Sequence, residues 1–138
     1  MCCLHNTYIH KNIIIILINL AKIQKKHFES PDESRSFDKS RVELVKLGDS
    51  TVGRGTLEPG WSWEKCVKPS VKTDSCQLAH TQYIVSGHMK VVMDDGTEEE
   101  FGPGEVGYVP PGHNAMVVGN EPVVMVDFTG LKDLPKTS

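Results

Sequence analysis

From Arg41 onward, short apolar stretches alternate with glycine, proline and aspartate. None of these stretches keeps the 3.6-residue apolar period of an amphipathic helix, and most are rich in β-branched or aromatic residues, as strands are. The pattern predicts strands at Val42 to Leu47, Thr51 to Leu57, Trp61 to Val67, Ser75 to Val85, His88 to Met93, Thr97 to Phe101, Val106 to Val109, Ala115 to Val118 and Val123 to Phe128. We therefore predict an all-β sandwich or barrel.

One turn is indicated by its central residues alone. Asp95-Gly96 lies between two predicted strands. A type I′ turn needs positive φ at both central positions, which glycine adopts without a steric penalty. We expect a two-residue hairpin at this point.

The beginning of the chain differs in composition from the rest. Seven of the eight isoleucines lie before Lys25, whereas no valine occurs before Val42. The polar stretch Glu29 to Ser36 is typical of a flexible linker. We divide the chain into an extension and linker at residues 1–36 and a folded domain at residues 37–138. Removal of the extension up to Ser36 is expected to leave the thermal stability unchanged.

An apolar run within the extension bears on localisation. Ile13 to Ala21 is nine residues long, whereas a helix that spans a bilayer needs about 20. The expected localisation is cytoplasmic, with no membrane partner. A secreted or tethered protein is the alternative if Met1 to Ala21 is a signal.

Charge bears on nucleic-acid partners, and cysteine content bears on zinc sites and disulfides. All eighteen acidic residues lie from Glu29 onward, against eleven lysines and arginines, so the folded part is acidic and no nucleic-acid partner is expected. Cys66 and Cys76 are ten residues apart without a C-x-x-C spacing, which predicts neither a zinc site nor a disulfide framework. Reduced thiols are expected, with a Cys66–Cys76 pair as the alternative if their strands are neighbours.

Two motifs in the second half of the chain are framed by glycines. In the later motif, Gly104 is followed after five residues by Pro110-Pro111-Gly112, and the earlier motif ends at Gly87. The two motifs resemble the signatures of the cupin family. The resemblance covers roughly Gly53 to Gly130. It implies a cupin-like jelly-roll β-barrel with a non-core N-terminal extension, and a barrel mouth that binds metals or small ligands.

The metal positions implied by the resemblance are mostly filled by other residues. The histidine of the second signature falls on Ala115, while His113 lies two residues earlier and so on the same face of a strand. In the first signature, His80 falls on the glutamate position, and Cys76 and Asp74 fall on the two histidine positions.

We predict His80, Gln82, His113 and Cys76 as ligand-binding residues, with the imidazoles of His80 and His113 pointing into one cavity. If residues 76–80 are extended, the Cα atoms of Cys76 and His80 lie roughly 13 Å apart. Cys76 is therefore expected to lie away from the imidazoles and not to share an ion with His80. Trp61 and Trp63, two residues apart on one face of the predicted strand, are expected to pack in the core, with a wall that stacks on a ligand as the alternative.

His80 and His113 are the candidate metal ligands. A zinc or iron centre needs at least three ligands, so this set is incomplete. One divalent transition metal is the candidate cofactor, and Zn, Fe, Ni and Cu all suit imidazole. A cavity without a cofactor is the favoured interpretation, and a nucleophilic Cys76 assisted by either histidine is a lesser alternative.

Three functions stay open, and no catalytic residue is assigned. The favoured one is binding of a small molecule in the barrel mouth. The alternatives are a metal-dependent enzyme of the dioxygenase or isomerase type with an atypical centre at His80 and His113, and a structural or interaction domain with a filled cavity. We also predict a homodimer, because Tyr83 and Val85 face outward on an apolar surface that needs cover.

Overall fold

The computed structural model describes residues 21–136. Among them are a short helix, α1 (Trp63–Cys66), and 3₁₀ turns at Lys68–Ser70 and Leu131–Asp133. The strands are β1 (Glu33–Phe37), β2 (Ser40–Leu47), β3 (Ser50–Leu57), β4 (His80–Ser86), β5 (His88–Met93), β6 (Glu98–Phe101), β7 (Val106–Val109), β8 (His113–Val118) and β9 (Val123–Asp127).

The strands form two antiparallel sheets in a jelly-roll arrangement, which confirms the predicted all-β class. One sheet has six strands in the order β1-β2-β3-β9-β4-β7, and the other has three in the order β6-β5-β8. Inward-facing side chains alternate along β9, where Val123, Met125 and Asp127 are buried. The core lies between the sheets, and the buried side chains that build it include Leu44, Leu57, Ile84, Met89, Val91 and Met125.

The chain from Trp61 to Val67 was predicted as a strand, and this prediction was wrong. Ser62 caps α1, and its hydroxyl accepts a hydrogen bond from the backbone N–H of Lys65 at 3.3 Å. Trp63, Cys66 and Val67 are buried, at the i, i+3, i+4 spacing of one helix face. The predicted strand from Ser75 to Val85 is also shorter, because β4 begins only at His80.

The hairpin between β5 and β6 has a different turn from the predicted type I′. Among residues 21–136, Lys39 is the only non-glycine residue with positive φ, so Asp95 cannot be the first centre of such a turn. The N–H of Gly96 donates to the carbonyl of Met93, and the φ of Gly96 is 89°. This is a three-residue loop in which glycine takes the left-handed position after a type I turn.

The segment predicted as a linker contains β1, so that prediction was wrong for residues 33–36. β1 pairs along its length with β2, and Arg35 on it is 5% exposed. The guanidinium of Arg35 donates to the carbonyls of Lys132 and Leu134, which ties β1 to the C-terminal segment. Truncation to Ser36 would remove these contacts, so we now expect it to lower the thermal stability.

The rest of the predicted extension lies largely outside the described residues. The localisation prediction depends on the isoleucine-rich run and the candidate signal. Apart from Ala21, both lie before residue 21 and so outside the described residues. Within residues 21–136, no helix has the length and apolar character needed to cross a bilayer.

Candidate metal centre

Three buried side chains meet at one end of the core because backbone pairing brings their segments together. His80 begins β4 and His113 begins β8. Cys76 precedes β4, and its backbone forms an isolated antiparallel bridge with His113, in which the N–H of Cys76 donates to the His113 carbonyl at 2.8 Å. The bridge therefore places Cys76, which precedes β4 of the six-stranded sheet, against β8 of the three-stranded sheet.

The potential ligand atoms of Cys76, His80 and His113 all lie within 4.8 Å of one another. The Sγ atom of Cys76 is 3.8 Å from Nε2 of His80, and the two imidazole centroids are 5.3 Å apart at an interplanar angle of 73°. The two rings line one cavity, as the motif spacing predicted. Their roles in binding a metal or ligand stay predictions.

The expected separation of Cys76 from His80 was wrong. That expectation assumed an extended chain between the two residues, but residues 77–79 are not part of a strand. The chain has no strand pairing between the Cys76–His113 bridge and β4, and the thiol lies beside the imidazole of His80. Cys76 thus completes the three-residue set that the sequence analysis lacked.

The ring of His80 is held by a buried carboxylate. Its Nδ1 lies 2.5 Å from Oδ2 of Asp127, which is 1% exposed. Asp127 also accepts hydrogen bonds from the backbone N–H groups of Thr129, Gly130 and Leu131, which fix it as an acceptor. Nδ1 of His80 therefore carries the hydrogen, and Nε2 is the atom turned towards Cys76.

His113 is oriented in the same way by a backbone group. Its Nδ1 donates to the carbonyl of Pro110 at 2.7 Å. The remaining nitrogen, Nε2, is left for the cluster. Second partners of this kind are the usual means by which proteins fix the tautomer and direction of metal-binding histidines.

Electrostatic coupling within the cluster shifts the protonation of its members. Burial acts to raise the pKa of the Cys76 thiol, but hydrogen bonds with His113 and His80 outweigh it and lower that pKa to about 6. Burial acts to lower the pKa of His80, but Asp127 and Cys76 together raise it to about 9. Both shifts favour a thiolate beside an imidazolium in the metal-free cluster.

A cavity of about 60 Å³ adjoins the cluster. Its wall is mainly apolar and includes Leu57, Trp61, Trp63, Val91, Met125 and Leu131. Gln82, two residues after His80 on β4, lines it as predicted, and its side chain is 2% exposed. Ala115, at the family's histidine position, also lines the cavity, whereas Asp74 is exposed and is not part of the cluster.

The sequence analysis missed Asp127 and favoured core packing over ligand contact for Trp61. Asp127 could have been found from the alternation on β9, because it shares the inward register of Val123 and Met125. A single acid in an otherwise apolar inward row indicates a buried partner. No comparable signal distinguishes Trp61 from Trp63, since both are buried and both line the cavity.

Solved structures of the same fold come from proteins of different kinds, with low sequence identity to this chain. A protein of unknown function from Rhizobium leguminosarum is 23% identical, with a TM-score of 0.57 over 79% of this chain and 97% of its own. A polyketide cyclase from Streptomyces resistomycificus is 16% identical, with a TM-score of 0.57 over 79% and 80%. A sugar phosphate isomerase of the cupin superfamily from Silicibacter pomeroyi is 18% identical, with a TM-score of 0.56 over 78% and 75%. At these identities the likeness shows the fold alone.

The family itself is established by sequence. No curated protein matches the chain. The family model of the EutQ-like cupin domain, however, matches residues 47–125, which is more than half of the 138 residues. This match and the structural neighbours confirm the resemblance carried by the two glycine-framed motifs, and the chain belongs to the EutQ-like cupin family.

Proposed function

We propose that this protein binds one divalent transition metal through Cys76, His80 and His113 and holds a small molecule beside that metal in the apolar cavity. The observation that carries the proposal is the convergence of three buried ligand atoms within 4.8 Å of one another. The thiol of Cys76, which the sequence analysis included among the ligand-binding residues but not among the metal ligands, thereby completes the minimum ligand number for such a centre.

The distances suit a metal. Zinc lies about 2.3 Å from sulfur and about 2.0–2.1 Å from imidazole nitrogen, so two ligands in tetrahedral positions are about 3.6 Å apart. The Sγ–Nε2 separation between Cys76 and His80 is 3.8 Å. The widest separation in the cluster, up to 4.8 Å, requires only a small inward movement of a side chain.

The chemistry of the three ligands limits which metal ions suit the site. Thiolate with imidazole suits zinc, iron, copper or nickel, and it disfavours magnesium and calcium, which take oxygen ligands. A three-ligand centre leaves at least one coordination position for a substrate or water, where the bound ion would act as a Lewis acid. Around it, Asp127 and the Pro110 carbonyl orient the imidazoles, and the cavity wall is mainly apolar.

The unfilled cavity supports binding of a small molecule over a purely structural role. A structural domain would fill this space with side chains, as close-packed protein interiors do. In its more specific form, the proposal is that the bound metal catalyses a reaction of the dioxygenase or isomerase type. The isomerase and cyclase among the structural neighbours support it only as examples of enzymes on this fold.

Cobalt binding tests the proposal directly. Metal-free protein titrated with Co²⁺ should bind one equivalent and develop a thiolate-to-cobalt charge-transfer absorption. Cys76→Ser should abolish that band, and His113→Ala should weaken the affinity at least about tenfold. Cys66→Ser is the matched control, because Cys66 is also a buried free thiol but lies outside the cluster. Equal cobalt affinity and absorption in wild type and Cys76→Ser would overturn the proposal.

A second candidate is a nucleophilic thiolate at Cys76. The contacts from Cys76 to His80 and from His80 to Asp127 resemble a nucleophile, a base and an orienting carboxylate, which supports this alternative. Iodoacetamide distinguishes the two functions. Rapid alkylation of Cys76 in a protein that binds no metal favours the nucleophile, whereas protection of Cys76 by stoichiometric metal favours the metal centre.

A further inference from the structure

Two buried nitrogen atoms in the cavity wall have no hydrogen-bond partner. They are Nε1 of Trp61 and Nε2 of Gln82, on side chains whose residues are 7% and 2% exposed. Within residues 21–136, they are the only buried side-chain nitrogen or oxygen atoms without a partner. Such atoms are rare in folded proteins, because burial removes their hydrogen bonds to water. Two of them in one cavity indicate a missing partner.

The chemistry of that partner follows from the donors. An indole N–H can only donate, and the unpartnered atom of Gln82 is an amide nitrogen, which also donates. The complementary group is therefore an acceptor oxygen, such as that of a carbonyl or carboxylate. The rest of the wall is mainly apolar and suits a short hydrocarbon portion.

The residues that carry the two donors are held by different sheets, and both line the cavity. Gln82 lies on β4 of the six-stranded sheet. The Trp61 carbonyl accepts a hydrogen bond from the N–H of Val117 on β8, in the three-stranded sheet. A ligand between the sheets can therefore contact both donors. Because Gln82 follows His80 by two residues on the same strand face, an oxygen bound by Gln82 lies beside the metal cluster.

The cavity limits the size of the ligand. A water molecule needs roughly 10–15 Å³ of such space. The cavity of about 60 Å³ therefore accommodates about four to six non-hydrogen atoms.

We infer that the cavity takes a small carbonyl compound or carboxylate, with its acceptor oxygen or oxygens held by the indole N–H of Trp61 and the side-chain amide of Gln82. This inference rests on the proposed function, because it fills the position beside the metal cluster. Trp61 and Gln82 determine the class of ligand, because their N–H groups can donate to an acceptor oxygen. A ligand that has only donor groups would leave both N–H groups without a hydrogen bond.

Pyruvate and 2,3-butanedione are suitable probes because they have the same number of non-hydrogen atoms and differ by a carboxylate oxygen in place of a methyl group. They are titrated into ¹⁵N-labelled protein, with and without bound metal. The indole N–H signal of Trp61, assigned by its loss in Trp61→Phe, should shift to saturation with at least one probe. Preference for pyruvate identifies a carboxylate ligand, and equal or stronger binding of butanedione identifies a neutral carbonyl ligand.

Variants separate hydrogen bonding from packing. Trp61→Phe and Gln82→Leu should each weaken binding of the preferred probe about tenfold. Trp63→Phe is the matched control, since Trp63 lines the same cavity but its indole nitrogen is not a buried unpartnered atom. Trp63→Phe should change the affinity less than about twofold.

The outcomes distinguish this inference from the metal proposal. A protein that binds cobalt but shows no shift of the Trp61 indole signal with either probe overturns the inference and leaves the metal centre standing. An equal loss of affinity in Trp61→Phe and Trp63→Phe also overturns it, because packing then explains the effect. Failure to bind cobalt, with a saturable indole shift in metal-free protein, overturns the metal centre and supports the two donors.

Discussion

His80 and Asp127 form a buried contact of 2.5 Å, although 47 residues separate them in the chain. The contact joins the first residue of β4 to the last residue of β9, its neighbour in the six-stranded sheet. Because Asp127 is held as an acceptor by three backbone N–H groups, it selects the tautomer of His80. The direction of Nε2, and so the metal proposal, depends on this pair.

Asp127→Asn should weaken metal binding about 10–100-fold while the protein stays folded. The amide can place its NH₂ group against Nδ1 of His80, which favours the tautomer with hydrogen on Nε2 and removes the lone pair that a metal needs. Cobalt titration measures the change. Asp133→Asn, at an exposed carboxylate with the same change in charge, should bind cobalt like the wild type. Equal affinities in all three proteins would contradict this role of Asp127.

Metal binding should release protons in a pH-dependent number. The pKa of Cys76 is about 6 and that of His80 about 9, so between these values the thiol is already ionised and only the imidazolium must lose a proton. The affinity should therefore rise about tenfold per pH unit from pH 6 to 9, level off above 9, and fall more steeply below 6. Calorimetry in two buffers of different ionisation enthalpy should find about one proton released at pH 7.5. Release of no proton would contradict the thiolate–imidazolium pair.

Local sequence patterns predicted those parts of the fold that local contacts decide. β5 and β7 begin and end at the predicted residues, because each is a β-rich run close to turn residues. The common cavity of His80 and His113 followed from the spacing of two family motifs and the two-residue period of strands. α1 was missed because four residues are too few to display a helical period.

The remaining parts of the site depend on contacts that a single sequence does not display. Cys76 reaches His80 only because its backbone pairs with His113, 37 positions later. Asp127 meets His80 only because β9 lies beside β4 in the sheet. Likewise, the polar segment Glu33–Phe37 forms β1 because it pairs with β2 and because Arg35 donates to carbonyls near the C-terminus.

Arg35→Met should destabilise the protein by about 2–4 kcal/mol. The substitution leaves the carbonyls of Lys132 and Leu134 without the guanidinium that now donates to them. Urea denaturation gives the free energy of unfolding. Arg41→Met is the control, because the Arg41 side chain is 59% exposed and its ion pair with Glu43 should contribute less than about 1 kcal/mol. Equal effects of the two substitutions would show that β1 is not held by Arg35.

The homodimer stays a prediction, and the structure shows where to test it. Tyr83, Val85, Val106 and Tyr108 are exposed on β4 and β7, and β7 is an edge strand of the six-stranded sheet. If two copies pair over this face, Tyr108→Arg should convert the dimer to a monomer, because it places a charge in an apolar contact. Val118→Arg, on the exposed side of β8 in the other sheet, should leave the mass unchanged. Light scattering at tens of micromolar decides, and a monomeric wild type would contradict the prediction.

Gly130→Ala should disturb the metal cluster from outside it. A Cβ atom at Gly130 would lie 2.3 Å from the Ala79 carbonyl oxygen and 2.6 Å from Nδ1 of His80, so the ring must move away from Asp127. Its φ of −91° is acceptable for alanine, and the effect is therefore steric and not a backbone strain. We expect a lower melting temperature and a cobalt affinity reduced about 10–100-fold. Gly107→Ala is the matched control, because its Cβ would collide with the Phe101 ring at 2.3 Å, away from the cluster. That variant should lose stability but bind cobalt normally while folded. Cobalt binding that is unchanged in Gly130→Ala would show that the position of His80 does not govern the site.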